Sequence, residues 1–257
     1  MKVALVTGAA QGIGQRTAEV LAQRGFSLVL NDLRSPTETA SKVRSHGVDA
    51  VEALGSVADE AVVGHMSDAV MRHYGRIDVL VNNAGVSSIA PAEEISVAEW
   101  QRVMDINLLG PFLLCRTFGR IMLTQASGSI INVASVAGLL GVGDRAAYNA
   151  SKHGLVGLTR TLAAEWGGRG VRCNAVCPGW VKTPMDDSAQ NAGLYADSDI
   201  INRVPMARFA TPDDIAQAVA FLADPAQSGF VNGHTLSVDG GWAADGSWEN
   251  LRLRHRG

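Results

Sequence analysis

Tyr148 and Lys152 stand four positions apart in the run Arg145-Ala-Ala-Tyr148-Asn-Ala-Ser-Lys152, which opens a segment of helical character reaching about Trp166. On an α-helix that spacing sets both side chains on one face. A phenol titrates near pH 10, so using one as a base near neutrality means lowering its pKa by about three units, or roughly 4 kcal/mol. One positive charge at about 4 Å, with an effective dielectric near 20, supplies about that much. Lys152 alone is therefore expected to be able to poise Tyr148 for proton transfer. The competing reading is an exposed pair on a surface helix, because the spacing arises often by accident.

The elements that would position such a pair begin at the first residues. Lys2 to Thr7 reads as a short buried strand, and Thr7-Gly-Ala-Ala-Gln-Gly-Ile-Gly14 as a glycine turn feeding an amphipathic helix of about residues 13 to 24. Strand, glycine turn and helix in that order present backbone N–H groups and a positive helix end where a pyrophosphate can dock. A tight connection with no ligand fits the same residues. Ser27-Leu-Val-Leu-Asn-Asp32 is a second strand ending in a carboxylate. An acid at that place, about twenty residues beyond the turn, accepts the ribose hydroxyls of NAD and repels the extra phosphate of NADP. The plainer alternative is that Asp32 caps a turn. Gln11 stands where a basic residue would greet a 2′-phosphate, whereas Arg34 could reach one from the far side.

Further along, residues 37 to 46 make a helix, Val48 to Leu54 a strand and 58 to 73 a helix. Asp78 to Asn82 is the fourth strand and runs into Asn82-Asn-Ala-Gly85, whose small residues let backbone approach a ligand closely. The same amides could simply tie strands together. Segment 96 to 123 is helical, with Asn107 among Ile106, Leu108 and Leu109. A buried amide must find a partner; Asn107 either pairs locally at a kink or holds a water. Ser129 to Ser135 is the fifth strand, and the glycine-rich residues 136 to 145 let Ser135 and Tyr148 converge. Val171 to Cys177 is the sixth strand, Thr211-Pro-Asp-Asp214 caps a helix to Leu222, and His234 to Val238 is the last strand. Residues 184 to 210 are polar and show no period, the mark of a lid. Strands alternating with helices predict an α/β fold, a parallel sheet covered on both faces.

At 257 residues, 47% of them hydrophobic, the chain suits one domain with a large core. Cys115, Cys173 and Cys177 have neither metal-ligand nor disulfide-framework spacing, so no metal is expected and an intracellular, cytoplasmic setting fits. A net charge of −3 gives no general pull on nucleic acid. No apolar run approaches the roughly 18 residues of a membrane span, and the start leaves no room for a signal-peptide core.

Taken together, the glycine turn of residues 8 to 14, Asn82-Asn-Ala-Gly85, Asn107, and Ser135 with Tyr148 and Lys152 resemble the short-chain dehydrogenase/reductase family, over Lys2 to about Gly241. Each motif alone is weak, but their order and spacing are specific. The resemblance implies a single Rossmann-type, doubly wound sheet of about seven parallel strands, usually assembled as a homotetramer. It implies a tetrad in which Ser135 bonds the substrate oxygen, Tyr148 exchanges the proton, Lys152 lowers the Tyr148 pKa and binds the nicotinamide ribose, and Asn107 holds a water. Gly8, Gln11, Gly12, Ile13 and Gly14 would surround the diphosphate and adenosine, with Asp32 on the ribose. Asn82, Ala84 and Gly85 would line the ribose side, and Val181 and Thr183 would hold the carboxamide. Many relatives carry Asp after the third strand where this chain has Gly55-Ser56-Val57, so adenine binding would fall to Ser56 and Val57.

On that resemblance the substrate pocket is walled by residues 136 to 145, Ser87, Ser88, Trp180 and the lid. Arg145 either clamps a carboxylate or hydroxyls, or pairs with Asp186 or Asp187, or faces solvent. The tail from Trp242 to Gly257 either frays or packs on a neighbouring subunit. The expected function is NAD-dependent oxidation of a secondary alcohol: a polyol, sugar, sugar acid or hydroxy acid. The alternatives are reduction of a 3-oxoacyl thioester with NADPH, or NAD-binding regulation without turnover.

Overall fold

The computed structural model describes residues 1–183 and 196–253. Strands β1 (Lys2–Thr7), β2 (Phe26–Asp32), β3 (Ala50–Leu54), β4 (Val79–Asn82), β5 (Gly128–Val133), β6 (Val171–Pro178) and β7 (Thr235–Val238) form one sheet. Their order is β3-β2-β1-β4-β5-β6-β7, and every pairing is parallel. Helices α1 (Gly12–Gln23), α2 (Thr37–Ser45), α3 (Glu60–Tyr74), α4 (Val97–Met104), α5 (Gly110–Gln125) and α6 (Ala146–Trp166) carry the chain between strands. Helix α8 (Pro212–Ala223) follows the shorter α7 (Asp197–Arg203).

The central strands are apolar on both faces, as a covered parallel sheet demands. Residues 3 to 7 of β1 are all buried. One core joins alternate residues of β1 and β2 to α1, α2 and α8; the other joins the opposite alternates to α3, α5 and α6. The order in which successive strands are laid down reverses between β1 and β4, which pair in parallel with Ala4 opposite Val79. At such a switch point the carboxyl ends of neighbouring strands part and leave a crevice.

Several sequence expectations shift here. Val97–Gln125 is a helical stretch of 29 residues containing an 18-residue window of mean hydropathy 1.2, long and apolar enough to cross a membrane by length and composition, contrary to the expectation that no run came close. Half of that window is buried in the protein, so it reads as part of a core helix. It is broken by a π-turn at Asp105–Leu109. The polar stretch 184 to 210 was expected to be irregular, yet Asp197–Arg203 is helical; residues 184 to 195, including Asp186 and Asp187, lie outside the described residues. Strand β5 stops at Val133, two residues short of Ser135, which instead caps the 3-10 turn Val136–Gly138.

Candidate active site

A cleft of about 390 Å³ runs along the carboxyl edge of the sheet. Gly8, Gln11, Gly12, Ile13, Asp32, Arg34 and Ser56 line it, as do Ser135, Arg145, Tyr148, Lys152 and Trp180.

The glycine turn is held by contacts that only glycine permits. Gly8 has φ of +65°, and a Cβ on Gly14 would lie 2.0 Å from the Gly8 carbonyl oxygen. Gly14 therefore serves the packing of α1 against the turn and does not line the cleft. Asp32 closes the turn from the side: its Oδ2 accepts from Ala10 N at 3.0 Å and its Oδ1 from Arg34 N at 3.2 Å. The Arg34 guanidinium bends back to donate to Gln11 Oε1 at 2.8 Å, so cation, amide and carboxylate share one rim of the cleft. Ser56 and Val57 line the neighbouring wall, with the Ser56 hydroxyl accepting from Ala58 N at 3.2 Å.

After β4 the structure separates the two asparagines. Asn82 is buried, and its Nδ2 donates to Asn132 Oδ1 at 2.7 Å and to Cys115 Sγ at 3.3 Å. That corrects the expectation for the Asn82 side chain, which faces the α5 side and ties β4 to β5. Asn83, which sequence reasoning passed over, lines the cleft with Ala84 and Gly85. Its Nδ2 donates to Thr7 O at 2.8 Å, and the Thr7 hydroxyl accepts from Asn83 N and Ala84 N at 3.0 and 2.9 Å. Thr7 thus fixes this loop to the glycine turn. The only sequence signal was a hydroxyl at the end of an otherwise apolar strand.

Asn107 sits on the π-turn and is fully buried. The extra residue of a π-turn rotates it away from the apolar stripe. Its Oδ1 accepts from Val86 N at 2.9 Å, and its Nδ2 donates to Val86 O at 2.8 Å and Ser151 Oγ at 3.2 Å. The amide thus finds its partners at a kink. A Cβ on Gly85 would lie 3.2 Å from Asn107 Oδ1 and 3.7 Å from Lys152 Nζ, so these side chains meet over Gly85.

Ser135, Tyr148 and Lys152 come together as expected, but the electrostatics differ from the sequence argument. The Tyr148 and Ser135 side chains face the same cleft. Burial pushes the Tyr148 phenol above its usual value, while the neighbouring Ser135 hydroxyl and the Arg145 charge work in the opposite direction. Lys152 Nζ lies 5.7 Å from the Tyr148 ring centroid and donates to Val133 O at 2.8 Å. Burial pushes the Lys152 ammonium down to about 8. To the expected pair the structure adds two groups, Ser135 and Arg145, that also favour the phenolate, while desolvation opposes the charge of Lys152 itself.

Arg145 lines the cleft, and its Nη1 donates to Ser87 Oγ at 2.7 Å. The proposed pairing with Asp186 or Asp187 falls outside the described residues. Trp180, Val181 and Thr183 follow β6 and also line the cleft. Trp180 stacks on Trp242 with centroids 4.3 Å apart. Arg203 covers Trp242 at 4.8 Å and donates to Trp242 O and Asp245 O at 3.2 and 3.3 Å. Arg252 donates to Asn202 O at 2.9 Å. The described part of the tail therefore folds back onto its own chain, and the expectation of a frayed end is corrected to Asp245, Arg252 and Trp242 clasping α7. Trp248 stays 72% exposed.

A doubly wound parallel sheet whose carboxyl edge carries this glycine turn, a carboxylate, and a serine and a tyrosine beside a buried lysine defines a nucleotide-binding oxidoreductase of the Rossmann kind. The chain belongs to the short-chain dehydrogenase/reductase family. Residues 8–243 match the family model described as Enoyl-(Acyl carrier protein) reductase. The chain is 44% identical to D-threitol dehydrogenase of Mycolicibacterium smegmatis, over 94% of this chain and 92% of that one. It is 38% identical to a 3-oxoacyl-[acyl-carrier-protein] reductase of Synechocystis sp., over 93% and 96%. A solved structure from Beutenbergia cavernae, described as a candidate NAD(P)-dependent gluconate 5-dehydrogenase with NADP bound at low occupancy, superposes with a TM-score of 0.89 at 39% identity, over 95% and 97%.

Proposed function

We propose that this oxidoreductase, acting as one unit over residues 1–257, moves a hydride between a secondary alcohol carbon and NAD, with Tyr148 as general acid and base. The observation that carries the reading is the gathering of Ser135, Tyr148 and Lys152 in the same cleft that holds Asp32 at its rim. The residues present fit a dinucleotide: a backbone turn at Gly8 and Gly12 too tight for a side chain at Gly14, and a rim carboxylate. Gly8, Gln11, Gly12 and Ile13 would hold the phosphates and adenosine, Asp32 the ribose, and Ser56 with Val57 the adenine. Ala84, Gly85 and Lys152 would meet the second ribose, and Val181 and Thr183 the carboxamide. The nicotinamide, when bound, supplies or takes the hydride.

The chain's own residues manage the proton. Ser135 donates to the substrate oxygen and holds it against Tyr148. Tyr148 removes the hydroxyl proton in oxidation and returns it in reduction. Arg145 and the Ser135 hydroxyl lower the cost of the phenolate, and Lys152, titrating near 8, can pass the proton on. Asn107 orients this end by fixing Val86, and a water on it would link Lys152 to solvent. Trp180 forms a wall of the substrate space.

The substrate class is a polyol, sugar, sugar acid or hydroxy acid. The relative named for D-threitol and the structure named for gluconate support it. NAD is preferred in this reading because Asp32 occupies the rim, although Arg34 beside it and the neighbour solved with NADP support some NADP use. The relative named as a 3-oxoacyl reductase supports the second reading, thioester reduction with NADPH. The family resemblance supports a cytoplasmic homotetramer, for which Val97, Leu109 and Phe112 offer exposed apolar surface.

The test is a panel of purified protein with NAD or NADP at 340 nm against polyols, aldoses, sugar acids, hydroxy acids and acetoacetyl thioesters. Alcohol oxidation with NAD that falls about a thousandfold in Tyr148→Phe supports the reading. Turnover of the thioester alone would replace it with the second.

A further inference from the structure

Arg145 is placed at some cost and, among the described residues, without a counter-charge. The preceding residue, Asp144, holds φ of +57°, a left-handed conformation uncommon outside glycine, and its carbonyl is pinned by Ala90 N at 2.9 Å. Arg145 then occupies the N-cap of α6, where Ser, Thr, Asp or Asn would satisfy free N–H groups and where the helix end is itself positive. Arg16, Arg76, Arg102, Arg116 and Arg208 each pair with a carboxylate. Among the described residues Arg145 has one side-chain partner, the neutral Ser87 hydroxyl at 2.7 Å. That bond uses one donor of a fork that has five. Among the described lining residues, Asp32 is the only acid, and it stands at the dinucleotide rim; the reacting end holds Arg145 and Lys152.

A half-buried guanidinium on the wall of a cleft, oriented by a serine, with four donors of its fork still open among the described residues, is suited to an anion from outside the chain. We infer that the alcohol oxidised here carries a carboxylate bound by the open side of the Arg145 fork, with Ser87 steadying the fork, so that the substrate is a hydroxy acid. This rests on the dehydrogenase reading above and narrows its substrate class. The carboxylate itself does not react. The carbinol C–H leaves as hydride to the nicotinamide, the hydroxyl proton goes to Tyr148, and a keto acid is released; reduction runs the same steps backwards.

The experiment has two arms, each using Arg145→Gln and Arg145→Lys proteins with unchanged melting temperatures. The first compares kcat/KM for cis-4-hydroxycyclohexanecarboxylate with that for its primary amide. Wild type is expected to prefer the acid by about thirtyfold, the scale of a hydrogen bond to a charged group. Arg145→Gln should bring the ratio near one, mainly through KM for the acid, and Arg145→Lys should keep part of it. The second arm needs no turnover: cyclohexanecarboxylate and cyclohexanecarboxamide are titrated against the enzyme with NADH, following cofactor fluorescence. The carboxylate should bind wild type tightly and Arg145→Gln about thirtyfold more weakly, with the amide unaffected. Equal acid and amide ratios in wild type, or a preference that survives in Arg145→Gln, would overturn the inference while leaving alcohol oxidation standing. Arg145-dependent carboxylate binding in a protein that turns over no alcohol would uphold the anion site and remove the dehydrogenase reading instead.

Discussion

Trp180 and Trp242 stack with ring centroids 4.3 Å apart and planes 14° from parallel, so the wall of the substrate cleft is backed by a residue from the C-terminal tail. Arg203 of α7 covers the outer face of Trp242, and Arg252 reaches the end of the same helix. An aromatic pair of this kind contributes about 1 kcal/mol beyond the area it buries. Trp242→Ala should therefore loosen Trp180 and raise the alcohol KM about fivefold, with a smaller change in cofactor KM. Steady-state kinetics with each substrate varied in turn checks this; a cofactor KM that rises as much as the alcohol KM would contradict it.

Lys152 carries a stability cost that depends on pH. Its ammonium titrates near 8 in the fold against an ordinary value of 10.5, so between those values the unfolded chain binds more protons than the native one. Stability from this group consequently rises with pH across that window, and the full penalty applies below about 8. Lys152→Met should stabilise the cofactor-free protein at pH 7 by about 2 kcal/mol after loss of the bond to Val133, with the gain fading towards pH 10.5. Its turnover should collapse at the same time. Thermal melts of both proteins from pH 7 to 10.5 decide it, and parallel curves would show that the ammonium is not desolvated.

The rim formed by Asp32, Arg34 and Gln11 holds two opposite charges, and in the proposed reading these stand where NAD and NADP differ. Asp32→Ser should raise kcat/KM with NADP by tenfold or more, roughly, and lower it with NAD, while Arg34→Ala should weaken NADP alone. Unchanged cofactor ratios in both variants would place the discriminating contact elsewhere.

Asn82 and Asn83 are adjacent in the chain but should fail in different ways. Asn82→Ala removes a buried bond to Asn132 at 2.7 Å and should cost about 2 kcal/mol in urea denaturation with little effect on cofactor KM. Asn83→Ala removes the side-chain bond to Thr7 O, leaving only the backbone bonds to the Thr7 hydroxyl, and should raise cofactor KM about tenfold. A cofactor defect in Asn82→Ala equal to that of Asn83→Ala would reverse the assignment.

Alternating apolar runs, the glycine turn and the Tyr148-Lys152 spacing were enough to read a doubly wound parallel sheet and to nominate its reacting residues, because periodicity and helical geometry are local properties that survive in one dimension. The capped start of α8 at Thr211 and Asp214 was legible for the same reason. What the linear chain left open depended on the environment of each side chain. Whether Asn82 or Asn83 faced the cleft turned on which side of the sheet each residue met. The pKa balance at Tyr148 turned on burial, which no spacing reports, and on Ser135 and Arg145, which the fold adds to the expected pair. The tail's clasp on α7 and the Trp180 stack join residues 39 or more positions apart. Packing chooses such contacts from many that the composition allows, so they became visible only once the chain was folded.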